Sequence, residues 1–254
     1  MTGKYIKFGY IILVMLVLLG GVGLFASIVG AKEVKGDETV FLVHGLGRTQ
    51  NSMMIMKHHL KQEGYRVVSF GYDSRHMSVD DSVQNLVVAV SNELHRASPP
   101  TKLHFVTHSL GGILTRKMFE SGVPAQLGRV VMLSPPNQGS ELPDKLGRIG
   151  LYRTVTGPAG MELGTGADSY PSKLGVVNFE LGVIAGDRSL NPLYSSFIPG
   201  KDDGKVSVES AKVDGMADFL VMHTSHTWIM NRKSVRKQVV HFLRNGLFDK
   251  RSET

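Results

Sequence analysis

From residue 39 to residue 133 the chain alternates runs rich in apolar and β-branched residues with stretches of helical periodicity, and no other feature restricts its fold so tightly. Residues 39–43, 65–70, 103–107 and 130–133 are short runs of the kind that form buried strands. Between the first two, residues 51–63 carry Met53, Met54, Met56 and Leu60 and stop at Gly64, which suits the position just past a helix. Val79, Val83, Leu86, Val87, Val90 and Leu94 fall on one helical face behind Ser78, and Asp81 three residues on makes a capping-box-like start. A third helical stretch, residues 111–120, ends at Gly122 and Pro124. Strands joined by helices through short connections run parallel with right-handed crossovers. The expected class is therefore α/β, with a central, mostly parallel sheet.

Beyond residue 133 the rhythm breaks. Residues 140–175 are rich in Gly, Pro, Thr and Ser and predict a short cap excursion over the sheet. Residues 176–185 and Asp218–Met222 predict two more strands, and residues 234–245 a closing helix. At the other end, residues 8–31 contain no charge, with Lys4 and Lys7 before them and Lys32, Glu33 and Lys35 after. As a helix this run would be ~36 Å long, enough to cross a ~30 Å hydrocarbon core. It has no polar face, which a soluble helix at a domain edge needs. Two readings stand for residues 1–31: a retained single-span anchor, or a signal peptide ending at the small residues Val29-Gly30-Ala31. Either leaves the domain at 38–254 outside the cytoplasm, membrane-tethered or secreted.

The absence of cysteine excludes a disulfide scaffold, a thiolate nucleophile, a Cys-ligated zinc and an iron–sulfur cluster. The net charge of +7 is mixed in sign along the chain. Its densest basic stretch, Arg232, Lys233, Arg236, Lys237 and Arg244, reads as a solvated helix face rather than a nucleic-acid surface. No nucleic-acid partner, metal or cofactor is expected.

Ligands of parallel α/β sheets bind at the carboxyl ends of the strands. There Thr107-His108-Ser109-Leu110-Gly111-Gly112 joins a strand to a helix. A serine on such a turn exposes its hydroxyl, the small residue two places on lets the helix pass close to the strand, and the Leu110 amide points with the helix N-terminus toward an anion. Thr107 stands where the G-x-S-x-G pattern has its first glycine. The alternative is a plain helix N-cap. A serine hydroxyl needs a base. Past residue 200 the histidines are His223, His226 and His241; His241 falls within the closing helix, His223 ends a strand, and His226 lies in the loop before that helix, where a base at the sheet's carboxyl edge belongs. Asp187, Asp202 and Asp203 are candidates for the acid that orients the imidazole. Pro135-Pro136-Asn137-Gln138-Gly139-Ser140-Glu141 borders the same strand-end face, as a wall of an acyl pocket or as an ordinary loop.

Three strings together, His44-Gly45-Leu46-Gly47, Thr107-His108-Ser109-Leu110-Gly111-Gly112 and Asp203-Gly204-Lys205-Val206-Ser207-Val208, resemble bacterial lipases and esterases of the α/β-hydrolase superfamily. The resemblance covers the chain from about residue 38 to its end. It implies an α/β-hydrolase fold, a triad of Ser109, Asp203 and His226, and an oxyanion hole formed by the Leu46 and Leu110 amides. It also implies hydrolysis of a carboxylic ester, lipid-like if the domain is tethered, with no cofactor. His44 is expected to be structural. The chain lacks the cysteine pair and calcium cluster of the nearest secreted lipases. An acyltransferase using the same triad, and a non-catalytic membrane-tethered binding module on this scaffold, are the alternatives.

Overall fold

The computed structural model describes residues 37–253. The apolar segment 8–31, and with it the anchor and signal-peptide readings, lies outside these residues. Among the described residues no helix is long and apolar enough to cross a membrane.

In chain order the elements are β1 (Glu38–Val43), α1 (Met54–Gln62) behind a 3-10 turn, β2 (Arg66–Phe70), α2 (Val79–Leu94), β3 (Lys102–His108), α3 (Leu110–Glu120) and β4 (Leu127–Leu133). Then follow α4 (Glu141–Leu146), α5 (Gly150–Met161), α6 (Tyr170–Lys173), β5 (Leu181–Gly186), α7 (Pro192–Ser195), β6 (Asp218–Met222) and α8 (Lys233–Asn245). The six strands form one sheet in the order β2-β1-β3-β4-β5-β6, and every pairing is parallel.

The strands alternate side chains between two cores, as a two-residue period requires. Phe41, Val43, Phe105, Val130 and Val183 pack on one face with Leu86 and Val90 of α2 and Ile113 and Leu114 of α3. Val40, Leu42, Val106, Val131 and Ile184 pack on the other with Met56 and Leu60 of α1 and Val235, Val239 and Phe242 of α8. Ser78 caps α2 by accepting the Asp81 N–H, and Gly246 ends α8 in the left-handed conformation. Met54 and Val87, expected on the inner stripes of their helices, are exposed; each adjoins a buried neighbour and lies past the edge of the stripe.

One expectation is corrected. The strand expected over 176–185 begins only at Leu181, because the Val177 N–H donates to the Asp214 carbonyl while the ladder with β4 starts at the Val130–Leu181 pair. The excursion at 140–175 holds three helices, α4 to α6, with α5 broken at Gly157 (φ 64°) ahead of Pro158. These helices are too short to show as long apolar runs.

From β1 the chain steps outward to β2, then returns across β1 to β3. The crevice at this reversal, outside the ends of β1 and β3, is the natural ligand position of an open α/β sheet. The register pairs Val43 with Thr107, so His44 and the glycine-rich loop after it emerge beside His108 and Ser109.

Candidate active site

Ser109 occupies the turn between β3 and α3 with φ 53° and ψ −123°. A non-glycine residue at positive φ is strained and persists only where its surroundings over-determine it. Here the Ser109 N–H donates to the Leu133 carbonyl at 2.9 Å, and its carbonyl accepts the Gly112 N–H at 2.9 Å. Its side chain makes no cap bond to α3, so the helix-cap alternative does not hold. A Cβ on Gly111 would lie 2.5 Å from the Val43 carbonyl oxygen and 2.9 Å from that of His44, which is why the helix needs glycine to pass the end of β1. The room for Thr107, the departure from the usual pattern, comes from Gly112: a Cβ there would meet the Met132 sulfur and Pro135 at 3.1 Å and the Thr107 hydroxyl at 3.4 Å.

His226 follows β6. Its Nδ1 lies 2.8 Å from Asp203 Oδ2, with both side chains buried. Asp203 Oδ1 accepts the Lys205 and Val206 N–H groups at 3.0 and 2.9 Å, and the His226 N–H donates to the Asp203 carbonyl at 3.0 Å. An Nδ1–H held by this carboxylate leaves the Nε2 lone pair free. Of the other candidate acids, Asp187 meets His223 at 3.0 Å, where the histidine is largely exposed. Asp202 accepts the Ser195 hydroxyl and the Gly204 N–H, holding its own loop. His241 bonds the Leu247 carbonyl at the end of α8.

Of the two expected oxyanion donors, Leu110 begins α3 and Leu46 sits in the loop after β1. Among the described residues neither backbone N–H has an acceptor in the chain. His44 is buried: its Nδ1–H meets the Gly45 carbonyl at 3.0 Å, its ring stacks on Tyr72 at 4.3 Å, and burial lowers its pKa. His108 is a residue that sequence reasoning passed over. Its Nε2–H donates to the His226 carbonyl at 3.0 Å, and its Nδ1 is buried without a partner. Burial, then the neighbouring positive charges, hold it well below the ordinary imidazole value.

Ser109, His226 and His108 line one cavity of about 390 Å³. Leu142, Leu146, Ile149, Val155 and Leu163 of the cap form its apolar wall, and Pro136 and Ser140 come from the loop after β4. That loop is firmly held. Arg116 of α3, buried, donates to Asn137 at 2.9 and 3.1 Å and to the carbonyls of Leu174 and Gly175 at 3.0 and 2.9 Å, and Asn137 Nδ2 donates to the Ala211 carbonyl. The cap also rests on the loop after β1, since a Cβ on Gly160 would come within 2.8 Å of the Leu46 side chain. Glu162 binds the Val79 N–H at the start of α2. None of these cap contacts was legible beforehand, because each joins residues remote in sequence.

No known family model matches the chain, and no curated protein matches it. Solved structures do. The mature form of lipase BlEst2 from Bacillus licheniformis superimposes with a TM-score of 0.66 at 18% identity, over 82% of this chain and 91% of that one. Phospholipase PlaB from Legionella pneumophila gives 0.65 at 17% identity, over 85% of this chain and 61% of that one. The metagenomic carboxyl esterase MGS0156 gives 0.57 at 17% identity, over 76% and 66%. The sheet, the strand-end crevice and these likenesses agree that the chain is built on the α/β-hydrolase fold of lipases and esterases.

Proposed function

We propose that the protein is a serine hydrolase of carboxylic esters working through an acyl-enzyme. The observation that carries the reading is that Ser109, on a strained strand-to-helix turn, shares a cavity with His226, whose Nδ1 is bonded to Asp203. Nε2 of His226 takes the Ser109 proton as Oγ attacks the acyl carbon, and the Leu46 and Leu110 N–H groups stabilise the oxyanion. The tetrahedral intermediate collapses, the ester C–O bond breaks, and His226 returns the proton to the leaving alcohol. Water, deprotonated by His226, then releases the carboxylic acid and restores Ser109. Asp203 keeps the imidazole in the tautomer this needs and stabilises its protonated form. The apolar cap wall suits an acyl chain, and the structural neighbours include a phospholipase and a carboxyl esterase. The N-terminal segment, by its length and lack of charge, holds the enzyme at a membrane or exports it.

Labelling with a fluorophosphonate probe tests the reading. The wild type is expected to label and to hydrolyse p-nitrophenyl esters, and Ser109→Ala to do neither while keeping its circular-dichroism spectrum. A wild type that stays unlabelled where control serine hydrolases react would overturn it.

A further inference from the structure

The cavity wall carries two formal charges, Arg48 and Lys205, and both are positive. Arg48 leaves the loop after β1, two residues past Leu46; Lys205 lies between Asp203 and Val206. Among the described residues neither side chain is paired with a carboxylate. Asp203 is the nearest acid to Lys205 in sequence, but it is buried and both its oxygens are occupied, one by His226 and the other by two backbone N–H groups. Burial disfavours the Lys205 ammonium most, Arg48 also acts against it while Asp203 acts for it, and both cations act against a charge on His108. A third cation lies nearby: the Arg75 guanidinium stands 3.7 Å from where a Cβ on Gly47 would be. Like charges gathered on an otherwise apolar cavity cost free energy in the empty protein, and an anion between them removes that cost.

The position of the pair says which part of an ester would carry the anion. The apolar wall belongs to the cap, through Leu142, Leu146 and Val155, while the cations stand on the strand-end loops. His226 must hand its proton to the leaving oxygen, so the alcohol departs on the side of the loop that bears Asp203 and Lys205. Resting on the ester-hydrolase reading, we infer that the natural ester joins an acyl chain to an alcohol carrying a phosphate, and that Arg48 and Lys205 bind this phosphate at the cavity mouth. An arginine fork and a lysine point charge, reaching in from separate loops, match a group that presents several oxygens in different directions. The acyl C–O bond breaks as above, and the phosphate leaves intact on the alcohol. A phosphomonoester and the phosphodiester of a lipid headgroup share this chemistry.

The experiment compares kcat/KM, below their aggregation concentrations, for mono-octanoylglycerol, octanoylglycerol phosphate, octanoylglycerophosphoglycerol and octyl hydrogen succinate, the last carrying its anion on the acyl side. One of the two phosphate esters is expected to exceed the neutral ester about tenfold, the size of one charge-assisted hydrogen bond, with the preference shrinking as salt is added. The better of the two identifies the source of the phosphate. Arg48→Gln and Lys205→Gln are each expected to cut the phosphate-to-neutral ratio several-fold, mainly through KM. Equal kcat/KM for neutral and phosphate esters in the wild type, a preference for the succinate, or a phosphate preference that survives in the double variant would overturn the inference. The wild-type comparison stands even if a variant fails to fold. Hydrolysis of the neutral ester without phosphate preference removes this inference alone, whereas no hydrolysis of any ester together with no fluorophosphonate label removes the hydrolase reading beneath it.

Discussion

His226 and Asp203 are joined twice: Nδ1 meets Oδ2 at 2.8 Å, and the His226 N–H donates to the Asp203 carbonyl at 3.0 Å. The backbone bond keeps the two loops together when the carboxylate is changed. Asp203→Asn is therefore expected to stay folded while kcat falls about 10³–10⁴-fold, because an amide favours the wrong imidazole tautomer. Asp187→Asn, whose side chain meets the exposed His223 and Lys201, should change kcat less than about twofold. Steady-state kinetics on a p-nitrophenyl ester separate the two acids, and the reverse ranking would reassign the triad.

Strain at Ser109 sets a second expectation. Glycine accepts φ 53°, ψ −123° far more readily than serine. Ser109→Gly should raise stability by about 1 kcal/mol and abolish hydrolysis. Urea denaturation checks it, and a lower midpoint would show that the turn is not strained.

Gly111 has no such latitude. With the Val43 and His44 carbonyl oxygens 2.5 and 2.9 Å from an added Cβ, Gly111→Ala must push α3 away from β1. The expected cost is about 1–3 kcal/mol, with kcat reduced because the Leu110 N–H shifts with the helix. Denaturation and kinetics on the same sample test both halves.

Arg116 reaches Asn137, Leu174 and Gly175 from inside the core, where burial lowers its pKa to about 10. Arg116→Met leaves three backbone carbonyls and the Asn137 side-chain oxygen without this donor and is expected to cost about 2–4 kcal/mol. Limited proteolysis should then cut first between residues 137 and 175, and cutting elsewhere first would place the clamp's role outside the cap.

Acid should loosen the fold through its histidines. Burial lowers the pKa of His44, His104 and His108 below the ordinary 6.5. Below that pH the unfolded chain takes up protons that the folded chain refuses, so stability is complete above 6.5 and falls as pH drops beneath it. Each such group contributes a slope of up to about 1.4 kcal/mol per pH unit. Urea midpoints from pH 7 to pH 5 read this slope, and His108→Gln should flatten it.

Much of this architecture is legible in local pattern. Strand and helix order from Thr39 to Leu133, the Ser78 cap and the elbow at Ser109 all arise from residues a few places apart. The partnership of Asp203 with His226 could be narrowed by chain order and resemblance, yet Asp187 and His223 also form a pair, and what separates the two is burial and the cavity that His226 shares with Ser109. The cap shows in the sequence only as a stretch with few apolar runs, because helices of a turn or two leave little periodic signal. Arg116, Arg48 and Lys205 carried no local mark at all. Their surroundings come from segments remote in the chain.

The seat of Gly160 on the Leu46 side chain gives one residue two masters. In the proposed mechanism Leu46 offers its N–H to the reacting oxygen, while its side chain meets the cap. Any displacement that widens the acyl channel therefore also disturbs the donor, so variation that adapts this chain to bulkier acids has to move both together or sacrifice speed for breadth.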